Sequence, residues 1–316
     1  MEIREVTVFG AAGFVGRNVV RQLAENGIRV RAACRDPEAA AFLKTMGAVG
    51  QISLPQANLR FPASIEAAVD GVDAVINLTG ILYQRGAQSF EAVHVRGAAA
   101  IAEAAKKAGA KRLIQMSALG ADANSSAKYA RSKAAGEAAV EAAFPGATIL
   151  RPSVIFGAED NFFNLFASLA RFTPALPLIG GGQTKFQPVY VGDVAAAIDH
   201  ILADPNTVGQ VFELGGPRQM SFEEVLRYIT EQTGRKRFFF PWPFALTKID
   251  AFFLQLMPKP LLTMDQVELL KSDNVIDGNA PGLDDLGIVP TPVESVVPGY
   301  LARYRRAGKL TPSRFS

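Results

Sequence analysis

The chain has 316 residues, of which 49% are hydrophobic and 20% are charged. This length can form one large α/β domain with a smaller lobe, or two modest domains, and the composition is that of a folded protein. The 33 lysines and arginines barely exceed the 30 acidic residues, so no nucleic-acid binding is predicted. The single cysteine, Cys34, excludes an intramolecular disulfide, and with only two histidines in the chain no metal site is expected.

The N-terminal segment does not have the pattern of a signal peptide. Glu2, Arg4 and Glu5 interrupt its apolar residues before a glycine-rich loop begins. The sequence contains no run of 18 or more uncharged apolar residues, so we expect no transmembrane segment. Any contact with a membrane is therefore expected to be peripheral or through a partner.

The first half of the chain alternates short apolar runs with helix-like segments. The runs predict strands that are buried on both faces. These strands are expected at Val6–Phe9, Val30–Cys34, Ala74–Leu78, Leu113–Met116 and Thr148–Leu150. Helices are predicted between them, at residues 17–26, 98–108 and 129–143. This order predicts an α/β protein with a doubly wound parallel sheet, a Rossmann fold.

After about Gly157 the pattern changes, and a smaller C-terminal lobe is predicted. Its expected elements are helices at 161–171 and 195–203, a strand at 211–214 and a helix from 221 to about 233. Ser221 and Glu224 have the spacing of a capping box at the start of that last helix. We expect the Rossmann domain to comprise residues 1–157 and 186–214, and the interleaved lobe residues 158–185 and 215–316.

Residues 238–260 are rich in aromatic residues and proline. Such a segment suits either a core or a docking surface, and its four prolines argue against a regular, self-burying helix. A basic tail follows, with Arg303, Arg305, Arg306, Lys309 and Arg314. Aromatic surface beside positive charge favours an acidic partner or an anionic membrane surface.

A glycine-rich loop, GxxGxxG, directly follows the first predicted strand and opens a helix. Glycine lets the backbone turn tightly and approach a pyrophosphate, and the helix N-terminus supplies N–H groups and a positive dipole end. This context favours a dinucleotide site over a purely structural turn. The predicted cofactor contacts in this loop are Gly10, Ala12, Gly13, Phe14, Val15, Gly16 and Arg17.

Arg35 stands nineteen residues after Gly16, at the end of the second predicted strand. A carboxylate there would bind the ribose 2′-hydroxyl of NAD, whereas an arginine favours the 2′-phosphate of NADP, with Arg17 as a second candidate. Asp36 places an acidic residue one position later, and a solvated surface role for Arg35 stays open. The sequence therefore favours NADP(H) over NAD(H).

Further motifs accompany this loop. They are RDP at Arg35–Pro37, NLTG at Asn77–Gly80, YxxxK at Tyr129–Lys133, RPSVIFG at Arg151–Gly157 and QPVYVGDVAAAI from Gln187. Together the motifs resemble the atypical and extended branch of the short-chain dehydrogenase/reductase superfamily. Within that branch, the stretches ILRPSVIFGAEDNFFN, DQVELLKSDNV and GYLARYRRAGK are most similar to the nucleotide-binding accessory subunits of respiratory complex I, of the alpha-subcomplex-9 type, and their bacterial relatives.

The resemblance implies that Tyr129 and Lys133, four residues apart on one helix face, lie near the nicotinamide ribose. In the family the lysine binds ribose hydroxyls and favours the tyrosinate, so the pair would be catalytic if the chain is an enzyme. The alternative is an amphipathic surface pair. The other cofactor contacts that the resemblance implies are Asn58, Leu59, Leu78, Gly80, Ser117, Pro152 and Ile155.

The match is incomplete at the residues that would transfer protons. Where the family's catalytic serine or threonine is expected, this chain has Ser117 followed by Ala118, and Ser117 is interpreted as the end of a strand. His94 is either a proton-relay residue or a hydrogen-bonded structural histidine. The cofactor pocket is thus predicted to be complete and the proton-transfer apparatus partial.

Two functions of different kinds follow. In the first, the chain is an NADP(H)-binding accessory subunit of membrane-associated respiratory complex I, with the cofactor in a structural or regulatory role. It would lie on the cytoplasmic side, peripheral to a bacterial inner membrane or its matrix-side equivalent, and contact complex subunits and the membrane surface through its C-terminal region. In the second, it is an NADP-dependent oxidoreductase, or an epimerase/dehydratase-like enzyme, for a small carbonyl or hydroxyl substrate. The missing serine and the aromatic, basic C-terminal region favour the first.

Overall fold

The computed structural model describes residues 2–258 and 260–305. Its strands are β1 Glu5–Phe9, β2 Arg29–Ala33, β3 Ile52–Ser53, β4 Ala74–Asn77, β5 Arg112–Met116, β6 Thr148–Pro152, β7 Ile155–Phe156, β8 Ala175–Ile179, β9 Lys185–Phe186, β10 Val189–Tyr190, β11 Val211–Leu214, β12 Met220–Ser221 and β13 Phe238–Trp242. Its α-helices are α1 Phe14–Glu25, α2 Pro62–Val69, α3 Gly97–Lys107, α4 Lys128–Ala143, α5 Phe163–Phe172, α6 Val191–Ala203, α7 Phe222–Gln232, α8 Phe244–Leu254, α9 Met264–Leu269 and α10 Val293–Leu301. A π-helical turn, Glu91–Arg96, directly precedes α3.

The predicted doubly wound parallel sheet is confirmed. Seven strands pair in the order β11-β6-β5-β4-β1-β2-β3, and every neighbouring pair is parallel. The chain builds the sheet outward from β1 in one direction and then returns to build it outward from β4 in the other. The carboxyl ends of β1 and β4 therefore flank the switch point, where ligands bind in folds of this kind.

The central strands have the composition that burial on both faces requires. Val6, Val8 and Ile76 are fully buried, and all residues of β4 and β5 are buried. Helices α2 and α3 cover one face of the sheet, where Ile65 and Ile101 pack with the strand residues of a single apolar cluster. Burial of such side chains is the main term that stabilises this arrangement, at about 25 cal/mol per Å² of apolar surface.

The chain forms two compact units that alternate along the sequence. The first unit comprises residues 1–152, 191–214 and 277–289, and the second comprises 153–190, 215–276 and 290–316, as far as these ranges are described. The domain boundaries predicted from the sequence stay a prediction, and the units differ from them most at residues 277–289. The seven-stranded sheet belongs to the first unit.

The second unit has its own core, built around three two-stranded sheets, β7 with β10, β9 with β12 and β8 with β13. Phe156, Phe163 and Phe222 are among its fully or almost fully buried side chains. The predicted capping box is present at the start of α7. The Ser221 hydroxyl accepts from the Glu224 N–H at 3.1 Å, and the Glu224 carboxylate accepts from the Ser221 N–H at 2.7 Å.

A regular helix, α8, forms within residues 238–260, where the four prolines argued against a regular, self-burying one. Pro243 stands at the N-cap of α8 and Pro258 lies beyond its end, so neither interrupts a helical hydrogen bond. The helix does not bury its apolar side. The exposed apolar residues on α8 and just after it are Leu246, Ile249, Phe252, Phe253, Leu256 and Met257. Across residues 2–258 and 260–305, no helix has both the length and the apolarity to cross a lipid bilayer.

Candidate nucleotide site

Two of the three loop glycines are required by the fold itself. Gly10 follows β1 with a φ of +79°, and a Cβ there would stand 3.0 Å from the backbone of Leu78. A Cβ at Gly16 would stand 2.2 Å from the Gly10 carbonyl oxygen and 2.7 Å from the backbone of Ala11. These glycines therefore let the loop pass close to the residue after β4 and let α1 pack directly on the loop.

Gly13 is not held by such close backbone contacts. Its φ of −74° suits any residue, and a Cβ there would meet the Gly10 carbonyl oxygen at 3.2 Å and nothing else within 4 Å. Gly13 is also the N-cap of α1, without a side-chain cap and with no acidic residue in the first turn. An open, uncapped helix N-terminus at the carboxyl end of β1 fits an anionic group such as a pyrophosphate. Ala12, Phe14 and Val15 line this loop and are half-buried.

The two candidate arginines lie near the start of α1, at Arg17, and just after the end of β2, at Arg35. Arg17 donates to the carbonyl oxygens of Ala12 at 3.1 Å and Gly13 at 3.3 Å, and its guanidinium carbon lies 4.9 Å from the centre of the Phe42 ring. Arg35 follows β2 and is exposed. The Asp36 carboxylate accepts from the backbone N–H of Ala39 at 3.1 Å, so this acidic group is engaged in its own turn.

Tyr129 and Lys133 lie on α4, but the pair is not a solvated surface pair. Lys133 is 7% exposed, its ammonium donates to the Met116 carbonyl oxygen at 3.3 Å, and its Nζ lies 5.8 Å from the centre of the Tyr129 ring. Burial lowers the pKa of Lys133 to about 8, although the charge of Glu137 opposes this effect. Burial also raises the pKa of the half-buried Tyr129 to about 12. Burial thus shifts both groups toward their neutral forms, although a pKa of about 8 leaves Lys133 largely charged at neutral pH.

His94 is held as a neutral, structural group. It lies on the π-helical turn, is 3% exposed, and its Nε2 accepts from the Ile81 N–H at 3.0 Å. Nδ1 must then carry the proton, which it donates to the Ser132 hydroxyl at 2.8 Å, and that hydroxyl donates to the Tyr129 carbonyl oxygen at 2.7 Å. Burial, followed by the charge of Lys133, lowers the pKa of His94 to about 3. The arrangement favours the structural interpretation of His94 over the proton relay.

Two glycines determine how closely the backbone approaches this cluster. A Cβ at Gly136 of α4 would stand 2.1 Å from the His94 carbonyl oxygen, so the helix and the π-helical turn are in direct backbone contact there. A Cβ at Gly80, after β4, would lie 3.6 Å from Lys133 Nζ and 3.8 Å from His94 Nε2. Gly80 therefore faces the buried lysine, whereas Gly136 packs the elements that carry it.

Ser117 directly follows β5 and is 4% exposed. Its N–H donates to the Leu150 carbonyl oxygen at 2.7 Å, which continues the strand pairing as the sequence predicted. Its hydroxyl oxygen is buried and has no hydrogen-bond partner among the described residues. A buried hydroxyl of this kind requires an explanation, and a ligand that supplies the missing partner is one.

The remaining predicted contacts lie in different places. Leu78 continues β4, its N–H donating to the Phe9 carbonyl oxygen at 3.0 Å, and Pro152 ends β6. Asn58 is engaged in a local turn in which its side chain accepts from the Arg60 N–H at 3.1 Å. Leu59 packs against the apolar cluster of the first unit. Ile155 lies in β7 of the second unit.

One feature near the site was missed by sequence reasoning. Glu137 is 7% exposed and accepts a two-pronged pair of bonds from Arg151, at 2.9 Å from Nε and 2.6 Å from Nη2. Hydrogen bonding to Glu137 raises the pKa of Arg151. The pair fixes α4 to β6 one turn after Lys133, and because its members stand 14 residues apart no local pattern indicated it.

The fold and the glycine loop define a class of proteins, and comparison with known families gives the same class. The model of the NAD dependent epimerase/dehydratase family matches residues 6–215. The chain belongs to this family.

Similar proteins match between 73% and 95% of the chain. The mouse mitochondrial NADH dehydrogenase (ubiquinone) 1 alpha subcomplex subunit 9 is 40% identical over 95% of this chain and 80% of its own length. The 40 kDa subunit of NADH-ubiquinone oxidoreductase from Neurospora crassa is 36% identical over 95% and 79%. A ceramide reductase of Caulobacter vibrioides is 34% identical over 73% of this chain and 71% of its own length.

Solved structures share the fold at lower identity. The triphenylmethane reductase of Citrobacter sp. complexed with NADP(H) covers 94% of this chain and 99% of its own, with a TM-score of 0.75 at 20% identity. The NADPH complex of an Escherichia coli quinone oxidoreductase covers 92% and 98%, with a TM-score of 0.73 at 22% identity. At these identities the likeness concerns the fold.

Proposed function

We propose that this chain is an NADP(H)-binding accessory subunit of respiratory complex I, in which the nucleotide has a structural or regulatory role. The observation that carries the nucleotide site is the open, uncapped N-terminus of α1 at Gly13, at the carboxyl end of β1. The family supplies the expectation of a nicotinamide dinucleotide, and the mouse and Neurospora relatives are named as subunits of the respiratory enzyme.

Three observations support NADP(H) rather than NAD(H). Arg35 is exposed at the end of β2, the Asp36 carboxylate that would repel a 2′-phosphate is engaged by the Ala39 N–H, and Arg17 is held on the loop by two carbonyl oxygens and the Phe42 ring. A guanidinium forms short, charge-assisted bonds to phosphate oxygens. A fixed Arg17 and an exposed Arg35 therefore suit the 2′-phosphate of NADP(H).

A structural role suits the protonation states of the site. The bound dinucleotide would supply a hydride donor or acceptor, while Lys133 would bind its ribose hydroxyls and Tyr129 would lie beside them. His94 is neutral and fixed by the Ile81 N–H and Ser132, so it does not relay protons. A ligand that binds only the folded state stabilises it by about 2.7 kcal/mol at a hundred times its dissociation constant, so a nucleotide that never reacts still has a function.

The attachment to a larger assembly is assigned to the second unit, at the apolar face of α8. Ile249, Phe252 and Phe253 are more than half exposed and stand at helical spacing on that face. Such a contiguous surface is unusual for a chain that works alone. By contrast, Arg303 and Arg305 of the basic tail already donate to oxygens of the second unit, while Arg306, Lys309 and Arg314 lie outside the described residues.

The attachment is tested by native gel electrophoresis of membranes from cells that express tagged variants. Phe252→Ser with Phe253→Ser should lose co-migration with complex I activity while the purified protein keeps its melting temperature, because both side chains are exposed. The matched control is Val49→Ser with Val289→Ser, which removes two exposed apolar side chains from the first unit. Co-migration of the phenylalanine variant at the wild-type level would refute the assignment.

A second candidate, an NADPH-dependent reductase, is supported by the unpartnered buried hydroxyl of Ser117 and the buried Lys133. One relative is named as a ceramide reductase, so a lipid carbonyl belongs among the substrates to be tried. The accessory-subunit proposal predicts no steady NADPH oxidation with simple aldehydes, ketones or keto-lipids. Turnover of about 1 s⁻¹ or more that disappears in Tyr129→Phe would establish the reductase instead.

A further inference from the structure

Two buried side-chain amides lie in the centre of the parallel sheet. Asn77 is the last residue of β4, and Gln115 stands opposite it in β5, one residue before that strand ends. Both side chains are buried. Burying an amide costs free energy unless its polar atoms find partners, and neither the apolar core nor the glycine loop requires amides at these positions. This amide pair, Asn77 and Gln115, therefore requires an explanation of its own.

The direction of each amide is fixed by its neighbours. Asn77 Oδ1 accepts from the Thr79 N–H at 3.0 Å, and because a backbone N–H can only donate, the oxygen of Asn77 must face Thr79. Asn77 Nδ2 then donates to Gln115 Oε1 at 2.8 Å. Gln115 Nε2 is left to donate to the Met116 carbonyl oxygen, at 3.0 Å. The amide pair thus presents an N–H group to the Met116 carbonyl oxygen.

The same carbonyl oxygen binds Lys133. The Lys133 ammonium donates to it at 3.3 Å, and within residues 2–258 and 260–305 this is the only hydrogen-bond acceptor of the ammonium. A carbonyl oxygen has two lone pairs, so Gln115 and Lys133 share the oxygen of Met116. The partially positive N–H end of the Gln115 amide holds this carbonyl group in place and also competes with the full charge of the ammonium. In a buried site both effects are stronger than in water.

The ionisable groups around Lys133 leave its charge sensitive to this bond. Glu137, on the same helix, is engaged by Arg151, and its charge raises the pKa of Lys133 by less than burial lowers it. His94 on the π-helical turn has a pKa of about 3 and is neutral, and the Tyr129 hydroxyl has a pKa of about 12. The pKa of Lys133 itself is about 8, so a change in one hydrogen bond alters its charge near neutral pH.

We infer that Asn77 and Gln115 are positioning residues for Lys133: they hold the Met116 carbonyl oxygen toward the ammonium, and by sharing that oxygen they weaken its hold on the charged form. The loop after β4 approaches the same ammonium, because a Cβ at Gly80 would lie 3.6 Å from Lys133 Nζ. The consequence for a nucleotide rests on the proposed function, in which Lys133 binds the ribose hydroxyls. The positioning itself is a property of the nucleotide-free chain.

The test is the pKa of Lys133 in the purified full chain without nucleotide. NMR titration of isotope-labelled lysine side chains gives this pKa, and the Lys133 signal is identified by its loss in Lys133→Met. Gln115→Met keeps the length of the side chain and removes the amide, so the pKa of Lys133 should rise by about one pH unit. The matched control is Thr7→Val, which removes another buried hydrogen bond of the sheet, from the Thr7 hydroxyl to the Ala68 carbonyl oxygen, and should leave the pKa unchanged.

A double-variant cycle tests whether the two amides act together. Asn77→Leu releases the Gln115 amide from its fixed direction and should also raise the pKa of Lys133. The same substitution should raise it by much less when Gln115→Met is already present, because no amide is left to be oriented. The double variant also removes both partners of the Asn77–Gln115 bond, so it leaves no unpartnered amide and replaces Gln115→Met if that single variant does not fold.

An unchanged or lowered pKa of Lys133 in Gln115→Met would overturn the inference. An equal rise in Thr7→Val would do the same, as would equal effects of Asn77→Leu in the two backgrounds. Calorimetric titration with NADPH keeps this result separate from the proposed function. Above a pH of about 8, Gln115→Met should take up fewer protons than the wild type when NADPH binds, because more of its Lys133 is already charged. A raised pKa in a chain that binds no NADPH would support the positioning role and refute the nucleotide proposal.

Discussion

Gly13 and Gly16 lie three residues apart in one loop, yet their substitution should have opposite consequences. A Cβ at Gly16 would stand 2.2 Å from the Gly10 carbonyl oxygen, a separation at which backbone must move, whereas a Cβ at Gly13 would stand 3.2 Å from the same atom with open space beyond. We therefore predict that Gly16→Ala destabilises the fold and that Gly13→Ala and Gly13→Val act on the ligand.

The sizes of the two effects can be worked out from these contacts. Overpacking against backbone costs about 1–3 kcal/mol, so Gly16→Ala should lower the melting temperature by several degrees. Replacing the N-cap glycine by alanine costs up to about 1 kcal/mol, because no side-chain hydrogen bond is lost at Gly13. A side chain at Gly13 projects into the space assigned to the pyrophosphate, and Gly13→Val should weaken NADPH binding at least about a hundredfold, or about 2.7 kcal/mol.

Calorimetric titration with NADPH and thermal unfolding without nucleotide separate the two effects. Gly13→Val should keep a melting temperature near that of the wild type and lose the heat of NADPH binding. The affinity of Gly13→Ala for NADPH should lie between those of the wild type and Gly13→Val. Wild-type affinity in Gly13→Val would show that the N-terminus of α1 is not the phosphate site. A Gly16→Ala variant as stable as the wild type would show that the close contact with Gly10 is not required.

Three further predictions concern charge. Arg35→Ala should weaken NADPH binding about tenfold or more and leave NADH binding unchanged, since a bond to a charged group contributes about 1.5–3 kcal/mol; equal affinities of the wild type for both nucleotides would contradict this. The pKa of His94 is about 3 in the folded state against 6.5 unperturbed, so its contribution to stability is present above pH 6.5 and is lost as the pH falls toward 3. Between pH 7.5 and pH 5 the free energy of unfolding, measured with urea, should therefore fall by about 2 kcal/mol less in His94→Gln than in the wild type. Equal decreases in the two proteins would refute the argument. The pKa of Lys133 is about 8, so above that pH Lys133 should take up a proton when NADPH binds. Calorimetric titration in buffers of different ionisation enthalpy detects this proton uptake, and Lys133→Met should abolish it.

The parts of the fold that sequence reasoning predicted are those whose cause is local. Strands β1, β4 and β5 are mostly apolar because both their faces are buried, and the capping box at Ser221 involves residues three apart. The glycine loop was predictable for the same reason, since its strand, its turn and its helix follow one another directly.

The sequence did not determine other features, either because a local signal was misread or because they depend on residues far apart in the chain. Helix α8 was not predicted because prolines were read as breaks, although Pro243 lies at a helix start, where it removes no bond. The neutral state of His94 depends on Ile81 and Ser132, which lie 13 and 38 residues away. The ion pair of Glu137 with Arg151 and the passage of residues 277–289 into the first unit likewise have no local pattern.

The contact at Gly136 has a practical consequence. Because a Cβ there would stand 2.1 Å from the His94 carbonyl oxygen, the absence of one methyl group determines how near α4 lies to the π-helical turn. Lys133 and His94 belong to these two elements. A slightly larger residue at position 136 would therefore move α4 away from the π-helical turn and separate the lysine from the imidazole, without altering any polar atom of the site. Substitutions of increasing size at this position offer a means to vary the distance between the two groups alone.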